Sequence, residues 1–205
     1  RNALFEGASE EIRVDAAIEL LTRDDSQARS ILLEAFGDDQ SGSSVEAICK
    51  GFIRVHSGVE DKDDFVEPFM GVIINGDGST ANLAAEAMIV YSFEQVGRRL
   101  ERLLKDEGLG EDIRLNALYG LTLRPEKEAL SAIIEAIDSD NERVATAARE
   151  SLQETFGYPE GGDKEFWRGV LEDLPGKDKN EIMTSRIASQ QQQLRRLQRE
   201  VKLWQ

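Results

Sequence analysis

Residues 141–153 read NERVATAARESLQ, and residues 10–23 read EEIRVDAAIELLTR. Both carry one arrangement: an apolar residue, three others, a small residue, three others, a large apolar residue. In the first stretch these are Val144, Ala148 and Leu152, and in the second Ile12, Ala16 and Leu20. A spacing of four puts all three on one face of a helix. The small central residue lets a neighbouring helix come close, and the flanking large ones fill the space beside it. The arrangement recurs at Val45, Cys49 and Ile53, at Ala81, Ala85 and Ile89, and at Ile113, Ala117 and Leu121. The small residues lie 33, 36, 32 and 31 positions apart.

Between the copies sit second segments with their own apolar stripes: QARSILLEAF (27–36), DDFVEPFMGVII (63–74), FEQVGRRLERLLKDE (93–107) and PEKEALSAIIEAID (125–138). The joints are rich in Gly, Asp, Ser and Asn, which close one helix and cap the next. Pro125 is tolerated at a helix start, and Pro68 fits if its helix begins near Asp63 or Asp64. No segment alternates with period two, so the chain is expected to be all-α. Two helices in every 31–36 residues is the signature of an α-solenoid. An ordinary helical bundle would need five such copies to coincide by chance.

Ile12-Arg13-x-x-Ala16-Ala17-x-x-Leu20 and Ile113-Arg114-x-x-Ala117-x-x-x-Leu121 resemble the second helix of HEAT repeats, and Phe65-Val66-Glu67-Pro68-Phe69 resembles a first helix. The resemblance covers about residues 9–156. The copies around Val45 and Ala81 depart from it by lacking the Arg. Tetratricopeptide and ankyrin patterns fit worse. The resemblance implies an α-solenoid of about five HEAT-like two-helix repeats, with the second helices lining a concave surface that holds a protein partner. The positions next to the first anchor and the central small residue are expected to face it: Arg13 and Ala17, Glu46 and Lys50, Asn82 and Glu86, Arg114 and Leu118, Ala145 and Arg149. Of these, Arg13, Lys50, Asn82, Glu86, Arg114 and Arg149 carry the polar chemistry. Their mixed charge suits a polypeptide of patterned charge.

After a loop, DKEFWRGVLED (163–173) reads as a short capping helix, with Phe166 and Trp167 covering the last repeat, because each repeat buries its stripe only against a neighbour. Phe156-Gly157-Tyr158 followed by Phe166-Trp167 resembles a closing segment of bacterial HEAT-repeat proteins. The composition changes after Pro175-Gly176, giving a body over residues 1–174 and a long C-terminal helix over 175–205. In that helix Met183, Ile187, Gln190, Leu194, Leu197, Val201 and Trp204 are spaced 4, 3, 4, 3, 4, 3, a coiled-coil seam with one polar member. Residues 177–205 carry net charge +4 and residues 1–176 carry −19. The basic helix is expected to self-associate, giving a homo-oligomer, or to dock on an acidic surface.

The chain has 205 residues, of which 40 are acidic and 25 basic, for a net charge of −15. That balance argues against nucleic-acid binding, which rests on neutralising phosphates. One Cys excludes an intramolecular disulfide, and one His excludes most His-centred catalysis and zinc binding. The longest apolar stretch, around residues 69–74, is too short to span a bilayer. The chain opens at Arg1, the expectation for a mature product or a fragment whose targeting segment is out of view. A lone thiol and acidity suit a bacterial-type cytoplasm.

Gly76-x-Gly78-x-x-Ala81 matches a dinucleotide fingerprint, but Asp77 lies where a pyrophosphate would sit, and a turn between helices explains the glycines. Read as a calcium loop, the same stretch puts Ile73 and Ala84 at ligand positions. Cys49 and His56 are seven apart, with Cys49 at a buried small position. No metal, cofactor or catalytic residue is therefore expected. The expected function is a non-enzymatic interaction module or scaffold. A structural assembly component is the alternative, followed by a HEAT-like lyase or glycosylase, whose catalytic residues this chain does not supply.

Overall fold

A computed structural model describes residues 1–23, 25–37, 42–158, 161–173 and 184. Among the described residues the protein is all-helical, with eleven α-helices, short 3-10 turns and no strand. The chain divides into two compact units, residues 1–92 and 93–205. The first holds α1 (Asn2–Glu6), α2 (Glu10–Thr22), α3 (Ser26–Glu34), α4 (Gly42–Val55), α5 (Val66–Asn75) and α6 (Gly78–Ala87). The second holds α7 (Arg98–Lys105), α8 (Glu111–Thr122), α9 (Lys127–Glu135), α10 (Glu142–Phe156) and α11 (Lys164–Glu172). The boundary expected at 174/175 lies outside the described residues. So do the seam residues Met183, Ile187, Gln190, Leu194, Leu197, Val201 and Trp204.

The joints work as helix punctuation. Side-chain oxygens of Ser9, Asp25, Asp77, Asn141 and Asp163 accept from amides in the first turns of α2, α3, α6, α10 and α11. The Asp77 contact, from Thr80 N at 2.9 Å, makes Gly76-Asp77-Gly78 the start of a helix. Pro68 falls in the first turn of α5, where its missing N–H breaks no intrahelical bond. At the end of α10, Gly157 takes the left-handed conformation (φ 74°) and donates its N–H to Gln153 O at 2.7 Å.

In the first unit α2 packs on α4 and α4 on α6, with α1 against α2 and α5 against α6. The α2–α4 crossing is close: a Cβ on Gly51 would lie 3.2 Å from the Cβ of Ala17. That approach sets the face α2 buries. Val14, Ala17, Leu20 and Leu21 are buried, whereas Ile12 is 47% exposed and Ala16 half-buried, so the inward stripe of α2 is turned by one residue from the expected one. In α4, Phe52 takes the inward place expected of Ile53. After α6 the chain tightens into the 3-10 turn Met88–Val90, which buries Met88 and leaves Ile89 41% exposed. Phe52 is the hub of an aromatic cluster, with ring centroids 5.1 Å from Phe69, 5.5 Å from Phe65 and 6.3 Å from Tyr91.

In the second unit α8 packs on α7, α9 and α10, and α11 packs on α9. Ala117, Leu121, Val144, Ala148 and Leu152 are all buried, with the expected phase. A π turn, Phe93–Gly97, leads into α7 and lays the buried Phe93 ring over Gly97. Sequence periodicity missed α1, which has only five residues. Its Leu4 is fully buried, and the Leu4 carbonyl accepts from Ser44 Oγ of α4 at 3.2 Å.

Candidate functional site

In the first unit the surface of α2, α4 and α6 carries a polar ladder across the three helices. Lys50 Nζ lies 2.9 Å from a Glu10 carboxylate oxygen and 3.8 Å from one of Glu46. Thr80 Oγ1 donates to Glu46 Oε1 at 3.4 Å. The Lys50 ammonium holds the Glu10 carboxyl below the usual carboxylate range. Asn82 and Glu86 are half-buried on α6. Lys50 lies on α4 and Asn82 and Glu86 on α6, and Lys50 is engaged between two acids.

The three expected arginines share a different arrangement. Arg13 donates to Gly7 O at 2.6 Å, just past the end of α1. Arg114 donates through Nε to Leu104 O at 3.0 Å, in the last turn of α7, and through Nη2 to Ser139 Oγ at 2.8 Å. Arg149 donates to Ile137 O at 2.9 Å, in the 3-10 turn that ends α9. Each arginine thus closes the C-terminal end of the helix that precedes its own. Carbonyls there lack intrahelical partners and carry the negative end of the helix dipole. Arg114 is only 6% exposed, so its guanidinium is a staple inside the unit. Leu118 and Ala145 are buried as well.

The exposed strip of α8 and α10 lies one residue further on, about 100° round each helix. Leu115, Glu142, Arg143, Thr146, Ala147 and Glu150 line an open groove of about 470 Å³ there. Arg143 is tied to the carboxylate of Glu111, which also accepts from Asn141 Nδ2 at 2.8 Å. The remaining rim charges, Glu142 and Glu150, are both acidic. The groove thus offers a small apolar floor between carboxylates. Sequence reasoning missed it because one residue of helical phase separates the buried stripe from the outer strip.

The two cap residues part company. Trp167 is fully buried, with ring centroids 5.8 Å from Phe156 and 5.9 Å from Tyr158, while Phe166 is exposed in an edge-on contact with Tyr158 at 5.5 Å. The indole N–H of Trp167 is buried with no hydrogen-bond partner among the described residues.

Cys49 is fully buried in α4, and burial pushes its thiol up to about 12. His56 begins the 3-10 turn after α4, and its Nδ1 is 3.1 Å from Ile53 O. A buried, protonated thiol and a histidine held by backbone do not make an activated nucleophile pair. Among the described residues no group of three His, Cys, Asp or Glu is placed to hold a metal ion, and no helix is long and apolar enough to cross a membrane. No family model, no curated protein and no solved structure matches the chain.

Proposed function

We propose that this chain is a HEAT-like α-solenoid acting as a non-enzymatic protein–protein interaction module, with its partner seated on the outward strip of the second helices. The reading is carried by one observation, the open groove between α8 and α10. There two successive second helices, 31 residues apart at their central alanines, lie side by side and expose Leu115 and Ala147 between acidic rims. The side-by-side order of α2, α4 and α6 in the first unit supports the same repeat register. The partner-facing set is Lys50, Asn82 and Glu86 in the first unit and the groove residues in the second, with Arg114 serving the fold.

The experiment compares partner capture by the native chain and by Ala147→Arg, which fills the groove from a half-buried, outward position. Loss of a specific partner, with thermal unfolding unchanged, supports the reading. Capture of the same partners at the same affinity by both forms removes the groove from the interaction.

A second reading, a structural assembly component, rests on the heptad spacing of residues 183–204. Solution mass with and without residues 177–205 tests it. A chain that is monomeric over a wide concentration range rejects it.

A further inference from the structure

We infer that the α8–α10 groove is a docking site for the basic face of this chain's own C-terminal segment, Arg195, Arg196, Arg199 and Lys202. The inference rests on the reading of that groove as an interaction surface and names its occupant.

The groove defines the chemistry it accepts. Its floor is Leu115, Ala147 and the Thr146 side chain, too small and too polar-edged to hold a row of large apolar residues. Among the described residues its uncompensated rim charges are Glu142 and Glu150, because Arg143 is held by Glu111. A long basic side chain suits both parts, since its aliphatic stem covers apolar surface while its charged head reaches a carboxylate.

The sequence supplies such side chains in one cluster. Residues 195, 196, 199 and 202 are spaced one, three and three apart, which collects them on one side of a helix. Leu194, Leu197, Val201 and Trp204 fall on the opposite side. Docking the basic side therefore leaves the apolar seam free for its own pairing. Residues 1–176 carry net charge −19 against +4 for residues 177–205, so the nearest strongly acidic surface is the body of the protein itself. The same acidic body opposes approach to an anionic bilayer or to nucleic acid. Reach is sufficient: residues 173–194 span up to about 75 Å when extended, and about 33 Å even as continuous helix. A unit of this size has a radius of gyration of only about 13 Å.

The test is carbodiimide cross-linking of the 205-residue chain, which joins a lysine to a carboxylate only where the two touch, followed by peptide mapping. The expected product joins Lys202 to Glu142 or Glu150. Its yield is expected to fall at least about fivefold in about 1 M salt, where screening is nearly complete, and as far in the variant Arg195→Glu/Arg196→Glu/Arg199→Glu. The mass of the product, one chain or two, tells whether the tail serves its own groove or that of a second copy. As a second readout, the methyl resonances of Leu115 and Ala147 in the full chain are expected to shift in the charge-reversed variant. Joining of Lys202 to carboxylates outside the groove, unchanged methyl resonances, or binding to anionic vesicles in place of the cross-link would overturn the inference. If the cross-link is absent while Ala147→Arg still abolishes partner capture, the docking fails and the interaction reading stands. If the cross-link forms and partner capture ignores Ala147→Arg, the docking stands and that reading fails.

Discussion

Arg13, Arg114 and Arg149 show how a residue that reads as a recognition group can belong to the fold. Each spends a guanidinium N–H on a carbonyl at the end of the preceding helix, at Gly7, Leu104 and Ile137. The most buried of the three is also the best bonded, so Arg114→Ala should lower unfolding stability by about 2–3 kcal/mol, the cost of hydrogen bonds to a buried charged donor. Arg114→Lys should recover little, because a single ammonium cannot take up the fork that spans Leu104 O and Ser139 Oγ. Denaturant titration of both variants checks this, and equal stability of all three forms would refute the staple. Cys49 poses the opposite case, a reactive group silenced by its place in the core. Its thiol is held protonated up to about 12, from an ordinary value of 9.0. The folded form therefore keeps a proton that the unfolded form loses above pH 9. Cys49 should resist thiol reagents in the native chain at neutral pH. Stability of the native chain, relative to Cys49→Ala, should fall by about 1.4 kcal/mol for each pH unit above 9. Parallel curves for the two forms between pH 8 and 10.5 would show that the thiol titrates normally.

At the scale of the elements, much was legible in the sequence, and what was not has a common cause. Helix caps at Asp77 and Asn141 could be read from residue type, because capping is a local bond. The burial of Val144, Ala148 and Leu152 could be read from spacing alone, because α10 is long and regular. Phase failed where a neighbour decides it. Ala17 rather than Ala16 turns inward because α2 crosses α4 at Gly51, a contact 34 residues away in sequence. Ile89 turns outward because α6 gives way to a 3-10 turn. The groove was missed for the same reason, since its strip is defined only once the inward stripe is fixed. The π turn before α7 was equally unreadable, as nothing in FEQVG distinguishes it from an ordinary helix start. It has a sharp dependence on Gly97. A Cβ there would sit 2.1 Å from the buried Phe93 ring. Gly97→Ala should therefore cost about 1–3 kcal/mol through overpacking, despite the higher helix propensity of alanine. Adding Phe93→Leu should cost less in the Gly97→Ala background than in the native chain. A double-mutant cycle on denaturant midpoints measures the difference, and strict additivity would mean that the ring and the glycine are uncoupled.

At the scale of the whole molecule, helices packed side by side leave an apolar face wherever the packing ends, and that face must be covered. In the second unit α11 covers α9. It holds to α9 with charge, Lys164 and Arg168 each 2.7 Å from a carboxylate oxygen of Glu135 and Lys164 also 3.3 Å from Asp138, while its buried indole packs beside the Phe156 and Tyr158 rings. The two contributions differ in size. Removing a fully buried Trp leaves a large cavity, so Trp167→Ala should cost about 3–5 kcal/mol. Trp167→Phe should cost distinctly less, because the indole N–H has no hydrogen-bond partner among the described residues to lose. The ion pairs are more than a third exposed at Glu135 and screened by solvent, so Glu135→Gln should cost under about 1 kcal/mol at neutral pH. Lys164, and after it Arg168, hold the Glu135 carboxyl below its ordinary value of 4.5. The folded form thus releases that proton more readily than the unfolded one. Its contribution is complete above about pH 4.5 and disappears as pH falls through the lower folded value. Glu135→Gln should therefore separate from the native chain in stability at pH 7 and converge on it as the pH is taken well below 4.5, whereas the deficit of Trp167→Ala should persist at both. Unfolding curves at the two pH values decide the matter. A Glu135→Gln deficit that is equally large in acid would mean that the carboxylate acts through packing rather than charge, and a Trp167→Ala variant as stable as the native chain would mean that α11 covers nothing the unit needs covered.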